Sequence, residues 1–321
     1  MIRYLARRCA QSVVVLILVS MIVFGLTKLL PGGPARAILG THATPTAIAA
    51  FNQANGLDSP LPAQYWHWLT GVLTGNLGFS YALNQSVSSL LGQRLPKTAF
   101  LAGVSVAVAL LIAVPAGLYQ ATRHNRPDDY ALTTVTFVLY STPAFWLALL
   151  LIDAFSVRVH LFPAEAPQGT FSAILADPGA MVLPVLTITL VTIAAFSRYV
   201  RSSVLDELAQ DYVQMARSKG AGRRRILLGH VLRNSISPVV TLLGLSLPFI
   251  LSGTLITEQV FNYPGIGLLF FTAATSQDYP VLLGVVLVVG VATVAGSLLA
   301  DIAYAVLDPR VRYVTGQGGH S

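Results

Sequence analysis

Charge is the scarcest property of this 321-residue chain: Asp, Glu, Lys and Arg make up 10% of it, against about 25% in an average soluble domain. Lysine is nearly missing, with only Lys28, Lys97 and Lys219, and none of the three follows a glycine. That excludes the Gly-x-x-x-x-Gly-Lys-Ser/Thr loop that cradles nucleotide phosphates. The single cysteine, Cys9, excludes an internal disulfide and a cysteine-based metal site; it reads as a small residue at the start of an apolar run. None of the six histidines opens a His-Glu-x-x-His zinc motif, and Ser141, Ser197 and Ser203 stand in no nucleophile-elbow context. The chain is therefore expected not to be an enzyme and to take any energy it uses from elsewhere.

What it has is apolar sequence, 54% of all residues, gathered in blocks. A membrane span needs about 20 predominantly apolar residues at 1.5 Å each. Six blocks stand out, Cys9–Leu30, Thr98–Tyr119, Ala131–Phe155, Met181–Phe196, Ile236–Thr257 and Val281–Tyr304, and all but the fourth reach that length. The fourth is short and continues towards Val200. An all-α membrane protein with six transmembrane helices is the fold class this predicts. Arg7-Arg8, the apolar run and Ala35-Arg36-Ala37 imitate a cleavable signal, but the run is too long for a signal core and is expected to stay as a span.

Orientation follows from the basic residues. With a cytoplasmic N-terminus, fifteen of the twenty fall on inside segments, and only Arg36, Arg94, Lys97 and Arg158 lie outside, with Lys28 at the outer end of the first span. The positive-inside rule thus puts both termini in the cytoplasm. This asymmetry accounts for the pI near 9.7 without invoking nucleic acid. It divides the chain into a tail and first span (1–30), an extracytoplasmic segment (31–97), a five-helix core (98–305) and a cytoplasmic tail (306–321).

The basic residues concentrate in Arg198–Ser237, where eight stand against Asp206, Glu207 and Asp211, a local balance of +5. Val204, Leu205, Leu208, Ala209, Tyr212, Val213 and Ala216 share one helix face, with Asp206, Glu207, Gln210, Asp211, Gln214 and Arg217 on the other. Lys219-Gly220-Ala221-Gly222 supplies a cationic last turn and a glycine stop. A second amphipathic stretch follows, with Ile226, Leu227, Val231 and Leu232 on one side. Two short amphipathic helices joined by a glycine turn make a docking element between the fourth and fifth spans.

Elsewhere the signals are local. Tyr65, Trp66, Trp68 and Leu69 suit a short interfacial helix, and Val87–Leu95 another that leads to the second span. Pro115, Pro143 and Pro248 fall inside spans, where they kink or open a helix beside a cavity, whereas Pro184 falls in a first turn and is cheap. Ala292, Gly296 and Ala300 form a small-residue stripe for helix packing. Asp153 and Asp301 lie near span ends and read as interface-facing or helix-pairing acids rather than a relay. Glu258-Gln259-Val260-Phe261-Asn262-Tyr263-Pro264-Gly265-Ile266-Gly267, running on to Asp278-Tyr279-Pro280, has no Lys or Arg. It reads as an aromatic outer loop, a helical hairpin dipping to the outer mouth.

These residues carry a resemblance. The cytoplasmic signature of ABC-importer permeases reads Glu-Ala-Ala, three residues, Gly, nine residues, then Ile-x-Leu-Pro. Here Gln214-Met215-Ala216, Gly220 and His230-Val231-Leu232-Arg233 stand in register, with Ala216, Gly220 and Leu232 matching literally. The peptide-permease form fits better, through Asp211-Tyr212-Val213, Ala216-Arg217, Lys219-Gly220, His230-x-Leu232-Arg233-Asn234 and Pro238. Leu30-Pro31-Gly32-Gly33-Pro34-Ala35 is similar to the family's Leu-Pro-Gly-Asp-Pro-Ala, with Gly33 in place of the acid. Gly75-Asn76-Leu77-Gly78, Arg94-Leu95-Pro96, Pro143-x-Phe145-Trp146 and Val260-Phe261-x-Tyr263-Pro264-Gly265-x-Gly267 agree as well. Over essentially its whole length the chain resembles the "B"-type permease of the dipeptide/oligopeptide/nickel importers, which have the type I importer fold.

The resemblance implies a second homologous permease, two cytoplasmic ABC ATPases that hold ATP and Mg, and an extracytoplasmic binding protein delivering a peptide. The chain itself would hold no cofactor or metal, and would sit in the lipid of a prokaryotic cell membrane. Asp211, Tyr212, Gln214, Met215, Ala216, Arg217, Lys219, Gly220, His230, Leu232 and Arg233 would couple it to the ATPase. Glu258, Phe261, Tyr263, Pro264, Gly265, Gly267, Asp278 and Tyr279 would gate the path or touch the binding protein. Nickel, haem or another small nutrient is the alternative cargo; an intramembrane enzyme or a channel is the alternative class.

Overall fold

The computed structural model describes residues 2–29, 35, 39, 43–54, 56–80 and 82–307, and the side chains among them except at 2–7, 28–29, 245, 247–253 and 300–307. Pro248 and Asp301 therefore lie outside the described side chains, and Gly33 outside the described residues. The chain is helical nearly throughout. Among the described residues five helices are long and apolar enough to cross a membrane, and a bent pair makes up to six.

Helix α1 (Ile2–Leu29) lies at the edge of the bundle, with Val13, Leu18 and Ile22 exposed. Two short helices follow, α2 (Pro45–Ala54) and α3 (Leu61–Leu73). The helix expected around Tyr65–Leu69 is α3. It leans on α1, with Tyr65 and Trp68 5.5 and 6.0 Å from the Phe24 ring, and Tyr65 hydroxyl 2.8 Å from Ser20. A two-residue antiparallel ladder joins β1 (Phe79–Ser80) to β2 (Gln85–Ser86).

Ser86 caps α4 (Val87–Thr122), a single helix of 36 residues. The separate helix expected over Val87–Leu95 is absent: it is the first part of α4, which runs through Pro96 and Pro115 without a break. The reason is packing. Gly117 lies so close to α8 (Pro178–Leu208) that an added Cβ would meet the Ser197 carbonyl at 2.7 Å. One turn after another, Ala109, Ala113, Phe196, Val200 and Val204 close the same seam, and Thr189 donates to the Ser105 carbonyl. Small residues let the backbones approach, which is how helices associate where water supplies no driving force.

The third block does not form one straight span. α5 (Pro127–Ser141) ends at Thr142-Pro143, and α6 (Ala144–Leu151) leaves it at 104° before winding into a π-helical Ile152–Arg158. Pro143 removes a backbone donor at the bend. α7 (Phe171–Ala176) leads into α8, which starts at Pro178, so Pro184 stands in its second turn and not its first. Asp153 pairs with Arg158 at 2.8 Å within the same π-helical segment, so this ion pair joins no second helix.

Past α8 come α9 (Asp211–Ser218), α10 (Arg223–Ile226) with a π-helical Leu227–Val231, and α11 (Leu232–Val260). The expected first amphipathic helix is thus split at Ala209-Gln210, its first half being the end of α8. The second is no free-standing helix, because α10 winds directly into α11. After α11, α12 (Ile266–Thr275) is a short apolar helix that turns back, and α13 (Tyr279–Leu307) closes the bundle against α1 and α11.

Candidate functional site

Two glycine-bearing segments stand at opposite ends of α11. At its basic end, α9 is amphipathic by composition: Val213 is fully buried in the α4–α8 core, together with Ile226 and Val231. A phenol fixes its height. Tyr212 donates to Glu207 at 2.5 Å and accepts from Asn234 at 3.2 Å, tying α9 to the ends of α8 and α11. Burial first, and then the bond to Glu207, raises the Tyr212 pKa above its ordinary value. Ser203 donates to the Ser235 carbonyl at 3.1 Å, a further tie between α8 and α11.

The turn after α9 is a Schellman motif. Gly220 N–H donates to Arg217 and Ala221 N–H to Ala216, at 2.9 and 3.0 Å, filling carbonyls a helix end leaves open. Gly220 has φ +78°, and a Cβ there would meet nothing within 4 Å. Glycine is needed for backbone conformation alone. Of the expected coupling residues, Asp211, Gln214, Met215, Arg217, Lys219, Gly220, His230 and Arg233 are exposed, whereas Tyr212, Ala216 and Leu232 are half-buried. Met215 is 58% exposed, an apolar side chain on an otherwise polar face. Glu207 and Asn234 belong to this site although spacing assigned Glu207 to the solvent face. Its partner is five residues on, and only the break at Ala209-Gln210 brings it round.

At the other end the segment is closed. Glu258 is 0% exposed, and Phe261, Tyr263, Pro264, Gly265, Gly267, Asp278 and Tyr279 are buried with it. In the isolated chain these side chains are turned inward. The first turn of α12 has N–H groups with no partner inside the helix, and Gly265 at its N-cap has no side chain to cap them. The Glu258 carboxylate does so from α11, accepting from Gly267 N–H and from Thr98 hydroxyl, both at 2.6 Å. Thr98 in turn accepts from Ile266 N–H at 2.8 Å. A negative charge at a helix N-terminus is favourable.

Here both glycines are required by contact. A Cβ on Gly265 would lie 2.3 Å from the Glu258 carboxylate, and one on Gly267 would lie 2.4 Å from the Leu255 backbone. Tyr263 donates to the Lys97 carbonyl at 2.7 Å, and Ala166 N–H to the Phe261 carbonyl at 2.9 Å. Asp278 accepts from the Ser80 hydroxyl and from Val281 N–H. Thr98, the residue on which this lock turns, carried no signal in sequence; it lies 160 positions from its acceptor.

Between the two ends a cavity of about 840 Å³ opens beside the bend of α5 and α6, walled by α8 and α11. Its polar groups include the hydroxyls of Thr133, Thr192, Ser246 and Thr257 and the guanidiniums of Arg198 and Arg201. Arg201 forks onto Asp129 at 2.8 and 2.7 Å, and Asp129 is 1% exposed. No group of three or more His, Cys, Asp or Glu among the described residues is arranged to hold a metal.

Residues 113–313 match the family described as binding-protein-dependent transport system inner membrane component, and residues 1–102 match its N-terminal counterpart. The chain is 35% identical over 316 residues to an oligopeptide transport system permease protein, AppB, of Bacillus subtilis, covering 98% of this chain and 100% of that one. It is 36% identical over 313 residues to a glutathione transport system permease protein, GsiC, of Salmonella choleraesuis, covering 98% and 100%. Among solved structures it is similar to the inward-facing MetNI methionine ABC transporter, with TM-score 0.54 and 16% identity over 68% of this chain and 96% of that one. An amino acid ABC transporter gives 0.51 and 17% over 68% and 94%. These last two are likenesses of fold.

Proposed function

The chain belongs to the family of binding-protein-dependent transport system inner membrane components, and on that premise we propose that it is a permease subunit of an ATP-driven peptide importer. With a second, homologous permease it would form the path, two ATPases on the cytoplasmic side would hold ATP and Mg, and an extracytoplasmic binding protein would deliver the peptide. The basic end of the bundle is then cytoplasmic, as are both termini.

The observation that carries this reading is the mounting of α9. Its exposed Gln214, Met215, Arg217 and Lys219 offer a partner surface. Its buried Val213 and its Tyr212 network fasten that surface to the ends of α8 and α11. A push on α9 therefore reaches two walls of the cavity together. Closure of the ATPases would displace α9 and reshape the path, with no chemistry performed by the chain itself.

Reconstitution tests this. Vesicles holding this chain, its partner permease and the ATPases should accumulate a labelled peptide only when ATP and the binding protein are both present. Vesicles that hydrolyse ATP and take up nickel or haem but no peptide would refute the peptide assignment while leaving the permease role.

A further inference from the structure

The cavity holds two cations in different states. Arg201 is neutralised by the bidentate carboxylate of Asp129, with His124 Nδ1 a further 3.0 Å neighbour. Arg198, one turn earlier on α8, pairs with no carboxylate among the described residues. What it touches is a ring: its guanidinium carbon is 5.3 Å from the centroid of Tyr140. A guanidinium carries five N–H donors, and stacking on an aromatic face engages its plane while leaving the N–H edge able to fork onto a carboxylate. Among the described residues the cavity lining holds no acidic side chain, and Asp129 beside it is taken up by Arg201. Its volume is that of a small-molecule site.

We infer that Arg198 is a specificity-determining residue of the path, receiving an anionic oxygen group of the cargo and, under the peptide reading proposed above, its free carboxylate. Tyr140 positions the guanidinium. Apolar wall residues such as Val191 and Leu242 accept side chains without choosing among them, and Arg198 recognises the C-terminal carboxylate, a group that every unmodified peptide carries. A lipid phosphate is the other source of the same chemistry, because Arg198 and Tyr140 are exposed in the isolated chain.

The test compares one peptide in two forms, with a free C-terminal carboxylate and with a C-terminal amide, in vesicles holding the whole transporter. The ratio of their uptake rates is measured for the unaltered protein and for Arg198→Gln with the same binding protein, whose own preference cancels between the two. That ratio should fall about tenfold in Arg198→Gln, the size of a lost charge-assisted hydrogen bond. Arg198→Lys keeps the charge without the fork and should recover part of it, which also covers the case of a Gln variant that does not assemble. An unchanged ratio, or equal loss of both forms, overturns the inference. Repeating the comparison in phosphatidylcholine and in phosphatidylglycerol-rich vesicles separates the sources. The ratio should be the same in both, and an Arg198→Gln effect confined to the anionic lipid would assign the group to phosphate instead. Unaltered vesicles that move neither form would overturn the peptide reading and this inference with it, a result distinct from uptake at an unchanged ratio.

Discussion

Gly220 and Gly265 both punctuate short helices at the two ends of α11, yet they are glycines for opposite reasons. Around Gly220 a side chain would meet open space, and only the left-handed φ of +78° demands glycine. Around Gly265 the backbone is extended, with φ −103°, and only the Glu258 carboxylate beside it excludes a Cβ. The first belongs to an element that faces outward and is pinned from beneath; the second opens a helix whose first turn is buried, although Phe271 and Thr275 farther along it are exposed. The outward segment fixes its shape through the backbone and leaves its side chains exposed. An internal strut uses contact. The difference teaches that two glycine-turn-helix segments of similar sequence texture need not share a role.

The sharpest break of this comparison is at the strut. Glu258→Leu removes the acceptor of the Thr98 hydroxyl and of Gly267 N–H, leaving both donors unpaired in a buried site, at a cost of about 1–3 kcal/mol for each such group. Thermal unfolding of the detergent-solubilised complex should show a large fall in stability, with faster amide exchange at Ile266–Leu268. Stability within about 0.5 kcal/mol of the parent would mean the cap is not structural. Gly265→Ala should follow closely, since the carboxylate must leave its seat; a normal melting temperature there would show that α12 can shift at little cost.

At the other end the effects should be smaller on stability and larger on transport. Gly220→Val forces a β-branched residue into a left-handed turn, costing about 1–2 kcal/mol. The protein should remain in the membrane in normal amount while peptide-stimulated ATPase activity and uptake part company. Tightly coupled, normal uptake would remove the turn from the coupling mechanism. Tyr212→Phe deletes only the hydroxyl between Glu207 and Asn234, worth about 1 kcal/mol, and should loosen α9 enough to raise its amide exchange. Met215→Ala is the mildest: no measurable change in unfolding, and weaker co-purification of the ATPases. Undiminished co-purification would take Met215 out of the proposed contact.

Much of the architecture was legible before any coordinates, because apolar blocks of spanning length are a composition signal that survives without knowledge of neighbours. The glycine stop after Lys219 was equally legible, since helix termination by a left-handed glycine is local. The burial of Glu258 was not. An acid followed by aromatics, proline and glycine, without Lys or Arg, reads as an aromatic outer loop or helical hairpin, and nothing in that pattern points to Thr98 as the partner of the acid. The bend at Pro143 was expected as a kink, but its size depends on how α6 seats against Leu183 and Phe261. The helix that continues through Pro96 depends likewise on distant residues, since Val87, Leu90 and Leu91 before the proline seat on Ile266, Leu269 and Val281.

Residue composition and spacing alone carry the membrane-spanning blocks and the glycine turn that follows an amphipathic helix. Those follow from transfer free energies and local backbone sterics, which are properties of residues and their immediate neighbours. Only the tertiary structure decided that one glycine segment is an outward surface and the other a capped, buried lock. It also decided that Arg201 is spent on Asp129 while Arg198 is left facing a cavity. Those depend on pairings between residues tens to more than a hundred positions apart, which no local pattern encodes.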